Sequence, residues 1–207
     1  MSFLSRLFKN KRGEQIKALA FPLGMKYSEK DEFGLIKLMG DFQLFKTGYS
    51  KKIKNILRKK DDWLQSDIAI FDYQYTVSTG KSSVTYKQTV FFINSKDLAL
   101  PQFLLKPEHF FHRIGKFLNL TQDIEFETYP EFSKKYLVQG EVPSMVKDMV
   151  PEELATFFSV EKKWSLEGIH YYLIFYALHK QLPPETIEEF YKKGLKIVKL
   201  LGAKEAD

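Results

Sequence analysis

Gly80-Lys81-Ser82 is the stretch that most invites a chemical reading, because a glycine-rich loop ending in Gly-Lys-Ser/Thr can cradle phosphates. That chemistry needs an earlier glycine where this chain has Tyr75, and a helix where Ser82 is followed by alternating, strand-like residues, so a phosphate loop is excluded. His109 and His112, three apart and beside Glu108, have the type and spacing of metal ligands. Arg113 and Lys116 share their helix face and oppose a divalent cation, so both histidines read as solvent-facing. Glu125 and Glu127 could pair for acid–base work, but the alternating Ile124 and Phe126 make them the outer face of a surface strand over 123–127. Tyr73, Tyr75, Tyr86, Trp164, Tyr171 and Tyr172 could line a groove, yet the same residues suit the core edge of a helix-covered sheet. No placement gathers His170 and His179 into a ligand set, and no nucleophile elbow or dinucleotide fingerprint occurs. The sequence assigns no catalytic residue, no metal ligand and no cofactor.

Two basic segments offer binding instead of catalysis. Phe3, Leu4, Leu7 and Phe8 fall at helical spacing among Arg6, Lys9, Lys11 and Arg12, with Gly13 as the expected stop. Such a helix can lay its apolar residues into a membrane interface while Lys and Arg meet anionic headgroups, or pack the same residues on the domain. Lys51, Lys52, Lys54, Arg58, Lys59 and Lys60 form a second candidate anion contact, with Ile53, Ile56 and Leu57 spaced for a helix face or a strand. This run lacks the aromatic or zinc context of a nucleic-acid reader, so nucleic acid is the less favoured partner there. Residues 1–60 carry a net +10 and residues 61–207 a net −4, which reads first as a solubilising, lysine-rich surface and otherwise favours an anionic membrane surface or an acidic protein on the first third.

The 207 residues include no cysteine, which removes disulfides and thiolate chemistry and fits a cytoplasmic setting, peripheral to the inner membrane face if the first helix binds there. No apolar run approaches the roughly 18 to 20 residues of a membrane span, and the N-terminal one is too short for a signal peptide.

The element best specified is the hairpin over 67–94. With Gly80-Lys81 at the turn, Val77 faces Val84, Tyr75 faces Tyr86, Phe71 faces Val90 and Ala69 faces Phe92, giving one apolar face broken only by Gln88. The opposite face sets Asp72 against Thr89 and Gln74 against Lys87, for water or a polar neighbour. A second hairpin turning at Glu167-Gly168 would set Trp164 against Tyr171 and Val160 against Phe175. Short strands are expected at 35–38, 42–45 and 136–139, and short helices at 144–149 and 152–158. Longer helices are expected over 107–118 and 184–201, each opened by Pro-Glu. The fold class is α+β: an antiparallel sheet built from two β-hairpins plus short strands, covered on one face by the two longer helices. Residues 1–13 form the amphipathic helix and 14–207 the domain, whose halves 14–120 and 121–207 repeat an order of hairpin and Pro-Glu helix that hints at two similar lobes.

The strings Phe71-Asp72-Tyr73-x-Tyr75-Thr76, Gln88-Thr89-Val90, Leu100-Pro101-x-Phe103-x-Leu105-x-Pro107-Glu108 and Pro130-Glu131-Phe132-Ser133-Lys134-Lys135-Tyr136-x-Val138-x-Gly140-Glu141 resemble an uncharacterised bacterial protein family over about residues 35–201. The resemblance implies a bacterial domain and carries no activity or site residue. The leading functional expectation is a non-catalytic binding or scaffold domain. An unrecognised hydrolase or ligand-processing enzyme, and nucleic-acid binding through 51–60, are the alternatives.

Overall fold

The computed structural model describes residues 3–61, 66–108, 123–161 and 163–202, with side chains over 11–60 in the first of these segments. The fold is α+β, built on one antiparallel sheet of eight strands in the order β1-β2-β3-β4-β8-β7-β5-β6. Its strands are β1 (Lys26–Lys30), β2 (Tyr49–Asp61), β3 (Ser66–Ser78), β4 (Ser83–Ser95), β5 (Leu100–Pro107), β6 (Tyr136–Gly140), β7 (Ser165–His170) and β8 (Tyr172–Tyr176). Strands from before and after residue 120 therefore share one sheet, with β7 and β8 inserted between β4 and β5.

The β3–β4 hairpin adopts the expected register from Ser66 opposite Ser95 to Ser78 opposite Ser83, and Thr79 N–H donates to Ser82 O at 2.8 Å across the tip. Period-two alternation sends Ile70, Phe91 and Ile93 into one core and Ala69, Phe71, Tyr73, Tyr75, Val90 and Phe92 into another on the opposite face. Gln88, the polar break in that second face, is fully buried, and its Oε1 accepts the His179 N–H at 2.9 Å. Both faces of the sheet are covered, not one. On the first lie α1 (Phe3–Ala18), the short α4 (Pro130–Ser133) and α5 (Pro143–Met149), α6 (Glu152–Glu161) and α7 (Ile187–Leu200), the last of which buries Ile187, Phe190, Ile197 and Val198. The second is covered by a strap between β1 and β2 that carries α2 (Leu35–Leu38) and α3 (Gln43–Lys46).

The structure departs from the sequence expectation at several elements. Segments 35–38 and 43–46 are single helical turns and not strands: Asp31 accepts the Leu35 and Ile36 N–H groups, a cap that starts α2. The basic run 51–60 is strand. Ile53 and Ile56 reach the same core at a three-residue spacing because the register slips between Lys54 and Leu57, where Asn55 takes a φ of 51°. A bulge thus imitates the helical period. The second hairpin turns at His170-Tyr171, with Ser165 opposite Tyr176 and Glu167 opposite Ile174, so Glu167 and Gly168 are mid-strand. Gly168 is needed for packing, since a Cβ there would overlap the Phe103 ring on β5. Val160, expected to pair in that hairpin, is an exposed residue of α6. Residues 123–126 are not strand, although Ile124 N–H donates to Val138 O at 2.7 Å beside the β6 edge. Leu100–Pro107 is strand, which moves Pro107 out of the expected 107–118 helix; residues 109–118 of that helix, with His109 and His112, lie outside the described residues. Finally, α1 does not stop at Gly13 but runs on to Ala18.

Candidate functional site

Two polar clusters and one helix surface are the places where this fold concentrates groups able to act. The first cluster holds α1 to the sheet. Asp72 projects from β3 on the α1 side, where Arg12 donates to both of its oxygens, Nε to Oδ2 at 2.8 Å and Nη2 to Oδ1 at 2.7 Å. Asn55 Nδ2 and Thr89 Oγ1 also donate to this carboxylate, at 2.8 and 3.3 Å. The third arm of the guanidinium, Nη1, donates to Leu182 O at 2.8 Å, and Leu182 N–H donates to Thr89 Oγ1 at 2.9 Å. A charge this well buried is stable because every lone pair facing the interior has a donor. Arg12, one of the candidate membrane contacts, is therefore engaged with the domain. Lys11 is exposed, and the side chains of Phe3, Leu4, Arg6, Leu7, Phe8 and Lys9 lie outside the described residues. The helix turns one side to the domain, through Ile16 at 3% exposure, and leaves Lys11, Glu14, Gln15, Lys17 and Ala18 exposed.

The second cluster sits under the strap. Glu167 of β7, 2% exposed, accepts from Gln43 N–H at 2.6 Å, Leu44 N–H at 3.1 Å and Tyr176 O–H at 2.7 Å. Burial pushes its carboxyl up to about 7, against the pull of those three donors and of Lys46. Tyr176 is raised as well, by burial and by the adjacent carboxylate. Lys106, on the neighbouring β5 and 2% exposed, is lowered to about 8 by burial, with Glu167 and Glu108 acting the other way. Around them stand Tyr73 and Tyr75, both raised by burial, and Tyr75 O–H meets His179 Nε2 at 2.8 Å while the His179 ring stacks on Tyr86 with 3.7 Å between centroids. The recess at this seam has about 240 Å³ of space counted to its mouth, and its depth suits roughly one water molecule. A carboxyl poised near neutrality is what a general base requires. Here, however, both oxygens are occupied by donors from the strap and β8, so the group fastens α3 to the sheet.

The remaining candidates are dispersed. Lys51 Nζ donates to Phe45 O, and Arg58 forms an ion pair with Asp67 and lies 4.1 Å from the Phe33 ring centre. With the bulge at Asn55, Lys51, Arg58 and Lys60 fall on one face of β2 and Lys52, Lys54 and Lys59 on the other, so the run is not one patch. Glu125 and Glu127 are exposed, as expected for an outer face, and Lys81 stands exposed at the hairpin tip. Among the described residues no three His, Asp or Glu groups come together as metal ligands, and no helix is long and apolar enough to cross a membrane. Of the aromatic set, Tyr73, Tyr75 and Trp164 are buried, Tyr86 and Tyr172 are half-buried and Tyr171 is exposed. Sequence reading missed Glu167 altogether, because it placed that residue in a turn. The available signal was a lone carboxylate set among Leu166, Gly168 and Ile169.

No protein-family model and no curated protein matches the chain. Among solved structures, the crystal structure of the mycobacterial trehalose monomycolate transport factor A, TtfA, matches with a TM-score of 0.61 over 92% of this chain and 92% of that one, at 13% sequence identity. At that identity the likeness is one of fold alone.

Proposed function

We propose that the protein is a non-catalytic binding or scaffold domain that sits on the cytoplasmic face of an anionic membrane through α1, as an accessory to lipid handling of the kind named for its structural neighbour. The observation that carries this reading is the outward side of α1. At about 100° per residue, positions 3, 4, 7 and 8 fall on the same side of a regular helix as positions 11, 14, 15 and 18, and the latter four are exposed. The docked side is taken by Arg12, Gly13 and Ile16. A Phe-Leu-Leu-Phe stripe at positions 3, 4, 7 and 8 suits an interface, and Lys11, on the same side of the helix, would add about 1 kcal/mol against anionic headgroups, whereas positions 6 and 9 fall with the docked side.

Two observations weigh against the alternatives. The hydrogen-bonded filling of Glu167 speaks against an enzyme centred there. The division of the 51–60 lysines and arginine between two faces speaks against a continuous nucleic-acid track. The test is co-sedimentation with vesicles of phosphatidylcholine alone or mixed with phosphatidylglycerol. Binding should require the anionic lipid, weaken with salt and fall at least tenfold when Phe3, Leu4, Leu7 and Phe8 are all changed to Ser. Equal binding by that variant, or no binding of the natural chain at low salt, rejects the reading.

A further inference from the structure

We infer that the outer edge of β4 is a self-pairing surface that joins two copies of this chain. β4 has 13 residues, yet β8 pairs only with Val90–Asn94. Beyond β8 the chain still touches the edge at Gln88 and Thr89, where Gln88 Oε1 accepts the His179 N–H and Thr89 N–H donates to Lys180 O at 3.1 Å. It then leaves. Among the described residues nothing pairs with the outer side of Ser83 to Lys87, where Ser83, Val84, Thr85 and Lys87 are exposed and Tyr86 is half-buried.

The direction of each backbone group on this stretch is fixed. Thr89 and Ser95 both donate outward from β4, to Lys180 O and Tyr171 O. In an antiparallel ladder the outward residues alternate, so Ser83, Thr85 and Lys87 aim their N–H and C=O groups at the open edge, while Val84 and Tyr86 bond to β3. An open edge of this kind is a template for another strand. The occupant that fits is the same strand of a second copy, because the stretch is self-complementary about a two-fold axis at Thr85. Thr85 then lies opposite the partner's Thr85. Val84 lies opposite the partner's Tyr86, an aromatic with β-branched pairing that occurs twice, and Lys87 lies opposite the partner's Ser83 so that no like charges meet. The outward parity also agrees, since residues 83, 85 and 87 meet only one another across the axis.

The experiment uses the full chain. Sedimentation equilibrium should give a concentration-dependent mass of two chains. Thr85→Pro removes one outward N–H and no backbone bond to β3, and Thr85→Val separately removes the exposed hydroxyl bond to Thr76 at 3.0 Å. The proline variant should return the mass to one chain with an unchanged circular-dichroism spectrum while the valine variant stays dimeric, and Val84→Pro, which removes a backbone bond to β3, is the control for hairpin damage. Because the natural chain has no cysteine, Thr85→Cys supplies a single thiol, and a short thiol-to-thiol crosslinker should trap the dimer through it far faster than through Ser78→Cys. A natural chain that stays monomeric to its solubility limit, a folded Thr85→Pro variant that still dimerises, or crosslinking no faster than at Ser78→Cys overturns the inference. A monomer whose β4 edge instead retains an extended peptide overturns it too and assigns the edge to another protein.

Discussion

Replacing Glu167 by Gln should remove a pH dependence from the stability of the fold, and the sign follows from burial. In the folded chain this carboxyl holds its proton up to about pH 7, whereas its ordinary value is 4.5. The folded state therefore binds the proton more tightly than the unfolded chain does. Its contribution to stability is fully present below about pH 4.5 and is lost as pH rises to about 7. At roughly 1.4 kcal/mol per unit the full span is worth about 3 kcal/mol, of which about 2 kcal/mol falls between pH 5 and pH 7.5. Other groups also titrate, so the quantity to measure is the difference between the natural chain and Glu167→Gln in urea unfolding at the two pH values. Lys106 titrates at about 8 in the natural chain, and Glu167 helps to hold it there, so the comparison is repeated in a Lys106→Met background, where the pH-dependent difference should persist. The variant should carry a constant penalty of about 1 to 3 kcal/mol, since its amide nitrogen would face the Gln43 N–H. A pH-independent difference, or a natural chain that gains on the variant as pH rises, would refute the reasoning: the three donors would then outweigh the burial of the charge.

Three further outcomes are expected. Arg12→Ala should cost about 2 to 4 kcal/mol by leaving a nearly buried Asp72 with fewer donors, and amide exchange should accelerate through α1 more than elsewhere. Gly48→Ala should be severe, because φ is 68° and a Cβ would overlap the Thr76 carbonyl oxygen; Gly80→Ala, at φ 86° with open space around it, should cost only about 1 to 2 kcal/mol in thermal or urea unfolding. Gly168→Ala should lower stability by forcing the Phe103 ring aside, and its rescue by Phe103→Leu in a double-mutant cycle would show that ring contact to be the cause.

What could be read from the sequence was whatever local pattern alone decides. The β3–β4 register was legible because turn chemistry at Gly80 and the alternation from Ala69 to Phe92 demand the same pairing. The strap was not. Leu35, Phe42, Leu44 and Phe45 are apolar enough for strands, and α3 begins where Glu167, 124 residues away, receives its first N–H group. The β2 bulge hid a strand behind a helical spacing, and the left-handed φ of 54° at His170 hid a turn in a residue that rarely marks one. The site followed the same division. Asp72 opposite Thr89 was read as a polar face, but its partner Arg12 was placed in a membrane foot, because a 60-residue separation leaves no local trace.

The Arg12 clamp also orders events in time. Its acceptors are Asp72 and the carbonyl of Leu182, the latter 170 residues further along the chain. At about 5 to 20 residues per second of synthesis, roughly 10 to 30 s separate the appearance of α1 from that of its last acceptor. During that interval the cationic helix emerges without the contacts that fix its orientation, so the proposed membrane role would let a nascent chain meet a bilayer before its domain is complete. Ribosome-bound chains halted before Leu182 should sediment with anionic vesicles at least as well as the finished protein, and poorer sedimentation would show that the helix needs the closed clamp to present its outer face.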